Sequence, residues 1–193
     1  LVDAALTDGA SLARKTSLSN GNDLAELLTD FGIEVAESKS DAGYGSHVVY
    51  AQYWQKPVRI ELFAPALATL ERGIAQFDMQ WLLAGHAVRD VFLAHELYHH
   101  LDLTRGSPSL AAMHRVTLLR IGPYRWTSGI ASLAEIAAGA FAQTLLDLPY
   151  HPKLLDLVTL IDRAPQAADR FLERLRGAEA DACAAAHFGR PTA

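Results

Sequence analysis

Cysteine, basic clusters and long apolar stretches are scarce in this chain of 193 residues, and each scarcity excludes a class of protein. The single cysteine, Cys183, excludes an intrachain disulfide framework and a zinc site built from several thiolates. The formal net charge is −5 and the chain has no run of Lys or Arg, so nucleic-acid binding is not expected. The most apolar stretch, Gly129 to Leu148, contains Glu135, Gln143 and Asp147, so no membrane span is predicted. The first residues lack a basic region followed by an apolar core, so no signal peptide is predicted. We therefore expect a cytoplasmic protein.

Length and composition predict one domain covering residues 1–193. Half of the residues are hydrophobic (50%) and 20% are charged, which is typical of globular proteins, and the chain is long enough for a substantial core. The first twenty residues show little sustained hydrophobic period, so we expect residues 1–20 to form a flexible arm, with at most one loose helix. The sequence gives no indication of oligomeric state.

Hydrophobic periodicity and turn residues predict an α+β fold. A small, twisted N-terminal sheet precedes a mainly helical C-terminal half. Strands are predicted over 33–36, 47–51 and 58–63, and residues 114–124 fit either a strand or a loop. Helices are predicted over 24–31, 65–76, 86–103, 128–148, 152–163 and 165–186.

The most specific local pattern is H-E-x-x-H, formed by His95, Glu96 and His99 within the predicted helix 86–103. Because a helix turns about 100° per residue, the two histidines lie roughly 40° apart on one face and can reach a single metal ion. Glu96 would then lie close to a metal-bound water. The alternative is a core helix whose histidines are satisfied by other hydrogen bonds, so a third ligand decides between the two interpretations.

Glu135 is the best third ligand in the sequence. Its face of the predicted helix carries almost only small residues, namely Ala131, Ser132, Ala138, Gly139 and Ala142. Such a face permits the close approach of another helix, which a glutamate needs in order to reach a metal held there. The alternative is an exposed charge on a face that merely packs.

Asp102 lies on the same helix face as the two histidines. The metzincin pattern would require Gly at position 102 and His at position 105, and these positions hold Asp102 and Arg105 instead. Asp102 is therefore predicted to accept an N–H from a ligand imidazole, with a solvent-exposed aspartate at the helix end as the alternative.

Two segments resemble the ImmA/IrrE family of zinc metallopeptidases, a gluzincin-type group. One runs from Ala94 to Leu101, and the other runs from Glu135 to Pro149 with Ala138, Phe141, Ala142, Leu145 and Leu146 in register with the family pattern. The resemblance implies a zincin-like fold, zinc bound by His95, His99 and Glu135, and Glu96 as general base. Two departures concern Tyr98, where the family often has Gly, and the closing Pro149, which arrives one residue late. We expect Tyr98 to narrow the cleft beside the metal.

The function implied is that of a zinc metalloendopeptidase acting on a protein or peptide. A zinc-activated water would attack the scissile carbonyl while Glu96 takes the proton. Tyr124, Tyr150 and His151 are candidate donors to the oxyanion. We expect a substrate strand to add to an exposed sheet edge, with Val58 to Phe63 as the wall of the cleft. Cleavage of a repressor protein is suggested by analogy with the family alone.

A non-catalytic zinc-binding domain, with a regulatory or structural role, is the alternative function. It would need a fourth protein ligand where the peptidase keeps a position for water. The histidines that the sequence leaves without an assigned place are His47, His114, His151 and His187.

Overall fold

Helices make up most of the described chain, and the largest of its sheets has three strands. The computed structural model describes residues 1–40, 43–44, 47–108, 110–113, 115–121, 124–166, 168–170 and 173. The α-helices are α1 (Val2–Asn20), α2 (Leu24–Asp30), α3 (Ala64–Gln76), α4 (Val88–Thr104), α5 (Leu110–Met113), α6 (Ala131–Leu145) and α7 (Leu155–Arg163), with 3-10 helices at Gln80–Leu83 and Pro152–Leu154. The strands are β1 (Glu34–Ser38), β2 (Gly43–Tyr44), β3 (His47–Val48), β4 (Ala51–Gln55), β5 (Val58–Phe63), β6 (Arg115–Ile121) and β7 (Tyr124–Gly129). The α+β class is therefore confirmed.

The main sheet has three strands in the order β1-β5-β4. β5 runs parallel to β1 and antiparallel to β4, so Ile60 lies opposite Val35 on one side and Tyr53 on the other. Its alternating pattern buries Ile60 and Leu62. Because both edges of β5 are paired, the prediction that Val58 to Phe63 lines a substrate cleft by accepting an added strand was wrong. The edge strands of this sheet are β1 and β4.

The N-terminal residues form a packed helix, which corrects the prediction of a flexible arm. α1 packs along α6 through a stripe of small buried residues, Ala5, Gly9, Ala13 and Thr16. The backbones approach so closely that a Cβ atom on Gly9 would lie 2.0 Å from the carbonyl oxygen of Ala137. Small residues at helical spacing produce this contact without a strongly hydrophobic face, so a search for hydrophobic periodicity does not detect it.

Most other predicted elements are confirmed with shifted ends. Asp23 caps α2 by accepting the backbone N–H groups of Ala25 and Glu26, at 2.9 and 3.0 Å. The ambiguous stretch 114–124 contains β6, which pairs with β7 in an antiparallel hairpin, so α6 begins only at Ala131. The predicted helix over 165–186 lies largely outside the described residues, and positions 165–166, 168–170 and 173 are helical.

Candidate metal centre

Helix α4 places His95 and His99 on one face, one turn apart. Their ring centroids lie 5.1 Å apart, and their side chains are 19% and 21% exposed. Both imidazoles are thus largely shielded but still reach solvent at one edge. The preceding turn buries Val91 and Ala94, which anchors this part of α4 in the core. The two histidines therefore have the accessibility that a metal ligand requires.

Glu135 of α6 completes the group. Its Oε2 lies 3.2 Å from His95 Nε2 and its Oε1 lies 3.5 Å from His99 Nε2. Donor atoms at about 2.0–2.2 Å from a tetrahedral zinc ion lie about 3.3–3.6 Å from one another, so these two separations, each to a different oxygen of Glu135, are close to those around a shared ion. One donor atom from each of the three residues lies within 4.8 Å of the other two. The group could therefore hold a metal ion.

The close approach of α6 to α4 depends on small and well-packed residues. Ala138 and Ala142 are fully buried, and the ring of Phe141 packs against Tyr98 of α4 with centroids 5.9 Å apart. Gly139 makes room for a different neighbour, because a Cβ there would lie 2.2 Å from Cε1 of His151. The small face around Glu135 thus accommodates both α4 and the His151 ring.

Glu96 is buried beside the histidines and held by the sheet. Its Oε2 accepts the backbone N–H of Tyr53, in the edge strand β4, at 2.9 Å. Burial raises the pKa of Glu96, and the nearby His95 opposes that rise. A carboxylate with a raised pKa next to a metal-binding group suits a role in proton transfer.

The three candidate ligands differ in how firmly they hold protons. Burial acts to lower the pKa of His95, but the hydrogen bond to Glu135 and the charges of Glu96 and Glu135 outweigh it and raise that pKa. Burial and the neighbouring His95 lower the pKa of His99 to about 4. The hydrogen bond from His95 lowers the pKa of Glu135 against the effect of burial. Among the three candidate ligands, His95 is thus the one that holds its proton most firmly against a metal ion.

The ring of Tyr98 lies edge-on to that of His99, with centroids 5.8 Å apart, but its complete burial contradicts the expectation that it narrows the cleft. It is fully buried, and its hydroxyl donates to Asp8 Oδ2 of α1 at 2.8 Å. Burial and the hydrogen bond to Asp8 raise the pKa of Tyr98 far above its usual range. Tyr98 therefore joins α4 to α1.

Asp102 belongs to the same contact between α4 and α1. Its Oδ1 lies 2.5 Å from Nη2 of Arg105, while Nη1 of Arg105 lies 3.0 Å from Asp8 Oδ1. Asp102 is buried, and burial raises its pKa against the effect of Arg105. These contacts pair Asp102 with Arg105, and they give no support to the prediction that it accepts a bond from a ligand imidazole.

The three predicted oxyanion donors lie in different settings. His151 packs on α6, with Nε2 3.2 Å from the carbonyl oxygen of Ile136 and Nδ1 accepting the backbone N–H of Lys153 at 3.2 Å. Both of its ring nitrogens therefore have backbone partners, which makes it a poor oxyanion donor. Tyr150 is half-exposed, and Tyr124 begins β7 with its side chain outside the described residues.

Tyr53, His100 and Lys153 were not predicted as part of this region. The Tyr53 hydroxyl lies 3.0 Å from Nδ1 of the buried His100, and burial lowers the pKa of His100. The charge of Lys153 lowers the pKa values of both His95 and Glu135. Tyr53 lies 43 residues before Glu96, so no local pattern could have indicated their contact.

No protein-family model matches the chain, and no curated protein or solved structure matches it. None of the described helices is long and apolar enough to cross a membrane. The functional assignment below therefore depends on the geometry of the site and on the two motif segments.

Proposed function

We propose that this chain is a zinc metallopeptidase with a zincin-like fold, in which His95, His99 and Glu135 hold the ion. The observation that carries this proposal is the convergence of the three side chains on one point, with Glu96 beside them. Two imidazoles, one carboxylate and an open fourth position are a donor set that catalytic zinc uses. The resemblance of the two motif segments to the ImmA/IrrE family supports the same assignment.

Glu96 is the general base in this proposal. A bound zinc ion would supply Lewis acidity, polarising the scissile carbonyl and making an attacking water more acidic. The Tyr53 N–H holds Oε2 of Glu96 and so leaves Oε1 to accept the proton from that water. Glu96 would then pass the proton to the leaving amine.

The edge strand β4 is the proposed docking edge for the substrate backbone. Tyr50 accepts the backbone N–H of Phe63 at 2.9 Å, so the even-numbered residues from 50 to 54 direct their backbone groups towards β5. The odd-numbered residues of β4 direct theirs outward, and the outward N–H of Tyr53 already meets Glu96. An extended peptide added along this edge would lie close to the general base.

A non-catalytic zinc-binding domain is the competing function, and the described residues favour the peptidase. A structural zinc site is usually closed by a fourth protein ligand. Among the residues that the structure describes, the group consists of His95, His99 and Glu135 alone, and the Glu135 side chain is 60% exposed. That exposure leaves a route for water and substrate. Cleavage of a repressor and a cytoplasmic location stay predictions.

The decisive test compares the wild type with Glu96→Gln, using zinc analysis together with cleavage of fluorescein-labelled casein and of a mixed peptide library. We expect one zinc per chain in both proteins, and a loss of cleavage by at least about a hundredfold in the variant, the range that removal of a general base produces.

Glu61→Gln is the matched control, because Glu61 is also a glutamate but lies on β5 beside Trp54 and Arg59. It should keep both zinc and cleavage. Undiminished cleavage by Glu96→Gln would show that the general-base assignment is wrong, and wild-type protein that takes up no zinc would remove the whole proposal.

A further inference from the structure

Two exposed aromatic side chains meet on the surface near the metal centre. Trp81 is 54% exposed and Tyr150 is 50% exposed, and their ring centroids lie 5.3 Å apart at an interplanar angle of 77°. Aromatic side chains usually bury most of their surface, so an exposed pair in edge-to-face contact leaves a large apolar surface open to a ligand.

A chain of contacts places this pair next to the metal ligands. Tyr150 directly precedes His151, whose Nε2 lies 3.2 Å from the carbonyl oxygen of Ile136, the residue after Glu135. The His151 ring also lies against Gly139, one helical turn beyond Glu135 on the same face of α6. The segment carrying Tyr150 therefore borders the metal group on the α6 side.

Both aromatic residues stand on anchored backbone. Trp81 lies in the 3-10 helix Gln80–Leu83, and its neighbours Leu82 and Leu83 are buried in the core. Tyr150 precedes His151, whose ring contacts the backbone of Ile136 and Lys153. Anchored aromatic rings lose little conformational freedom when a ligand binds, which favours a preformed binding surface.

We propose that Trp81 and Tyr150 form a specificity subsite for a large apolar side chain, preferably an aromatic one, of the peptide substrate. This inference rests on the proposed peptidase function, because the zinc ion would position the peptide beside the pair. A ring of the substrate would pack against the two exposed rings, whereas a methyl side chain would leave them uncovered.

Trp54 provides a matched control, because it is also exposed but has its own partners. Its Nε1 donates to Glu61 Oε2 at 3.1 Å, and the guanidinium of Arg59 lies 5.6 Å from its ring centroid. Side chains alternate along β4, and Tyr53 contacts α4, so Trp54 faces the opposite side of the sheet.

The test measures binding of two small zinc-chelating probes, N-acetyl-phenylalanine hydroxamate and N-acetyl-alanine hydroxamate, to the zinc-loaded protein by calorimetry. We expect the wild type to bind the phenylalanine probe about five- to tenfold more tightly, as one aromatic contact provides. Trp81→Ala and Tyr150→Ala should each reduce this preference to below about twofold without changing zinc content, and Trp81→Ala should also leave the affinity for the alanine probe unchanged. Trp54→Ala should keep the full preference.

Equal affinity of the wild type for the two probes would overturn the subsite but not the proposed function. An unchanged preference in both Trp81→Ala and Tyr150→Ala would do the same. Failure of both probes to bind the zinc-loaded wild type would overturn the proposed open catalytic site, and the subsite with it.

Discussion

Two groups of polar side chains on helix α4 are used in opposite ways. His95 and His99 share the carboxylate of Glu135 and remain partly open to solvent. Tyr98 and Asp102, which lie beside them on the helix, are buried in hydrogen bonds and ion pairs that connect α4 to α1.

This difference shows how one helix can be both anchored and reactive. On the α1 side, Arg105 already balances the carboxylates of Asp8 and Asp102. In the metal group, the positive charge that Glu135 requires can come from a proton on His95 or from a metal ion in its place. The buried contact with α1 fixes α4 and so helps to hold His95 and His99 in position.

Replacing a ligand should produce the largest effect. His99→Ala removes one of the two imidazoles, and we expect zinc affinity to fall by more than about a hundredfold, beyond the loss that supporting residues around a metal site cause. Competition with a chromogenic chelator measures the affinity. His86→Ala is the control, because His86 lies before α4 and outside the metal group, and it should bind zinc as the wild type does. Normal zinc binding by His99→Ala would exclude this site.

A substitution that separates α1 from α6 should have the next largest effect, on the free energy of unfolding. Gly9→Ala would place a Cβ 2.0 Å from the Ala137 carbonyl oxygen, and we expect the free energy of unfolding to fall by about 1–3 kcal/mol. Urea denaturation measures the change, with Ser11→Ala, at an exposed position of α1, as the control. An unchanged free energy of unfolding in Gly9→Ala would contradict the close packing of the two helices.

Zinc affinity should depend on pH as expected when binding displaces one proton. His95, whose pKa is raised, must lose its proton to bind, whereas His99, with a pKa of about 4, and Glu135, with a lowered pKa, are already deprotonated near neutral pH. Because protons compete with the metal, affinity should fall by about tenfold for each unit that the pH drops below the pKa of His95. Chelator competition at several pH values measures the slope. A twofold steeper dependence would show that His99 also carries a proton.

Tyr98→Phe should have the smallest effect, and it tests whether the contact between α4 and α1 is independent of the metal group. The change removes the hydroxyl that donates to Asp8, while Arg105 still pairs with that carboxylate. We expect the free energy of unfolding to fall by about 1 kcal/mol, with zinc affinity unchanged. Thermal denaturation and zinc titration of the same samples provide both values. A loss of zinc affinity that matches the loss of stability would mean that the contact with α1 and the metal group are not independent.

Local spacing was sufficient to predict which three side chains could meet at one point. The four-residue interval between His95 and His99 determines their relative direction once the segment is helical. The small residues around Glu135 indicated which helix could approach α4, and the structure brings these three residues together.

The contacts that were missed depend on which distant segments meet. Tyr98 lies at a predictable angle on α4, but its burial depends on α1, whose Ala and Gly stripe is small without being strongly hydrophobic. The contact between Tyr53 and Glu96 depends on strand order, since β4 is an edge strand only because β5 pairs with β1. His151 was one of three candidate oxyanion donors in the sequence, whereas the contacts of its two ring nitrogens depend on how it packs on α6.

Anomalous diffraction at the zinc absorption edge, from crystals of the zinc-loaded full chain, tests the central claim most directly. The expected result is one zinc ion per chain, at about 2.0–2.2 Å from Nε2 of His95, Nε2 of His99 and a carboxylate oxygen of Glu135, with the fourth position free of protein. A zinc ion bound elsewhere, or a fourth side chain closing this site, would contradict the account.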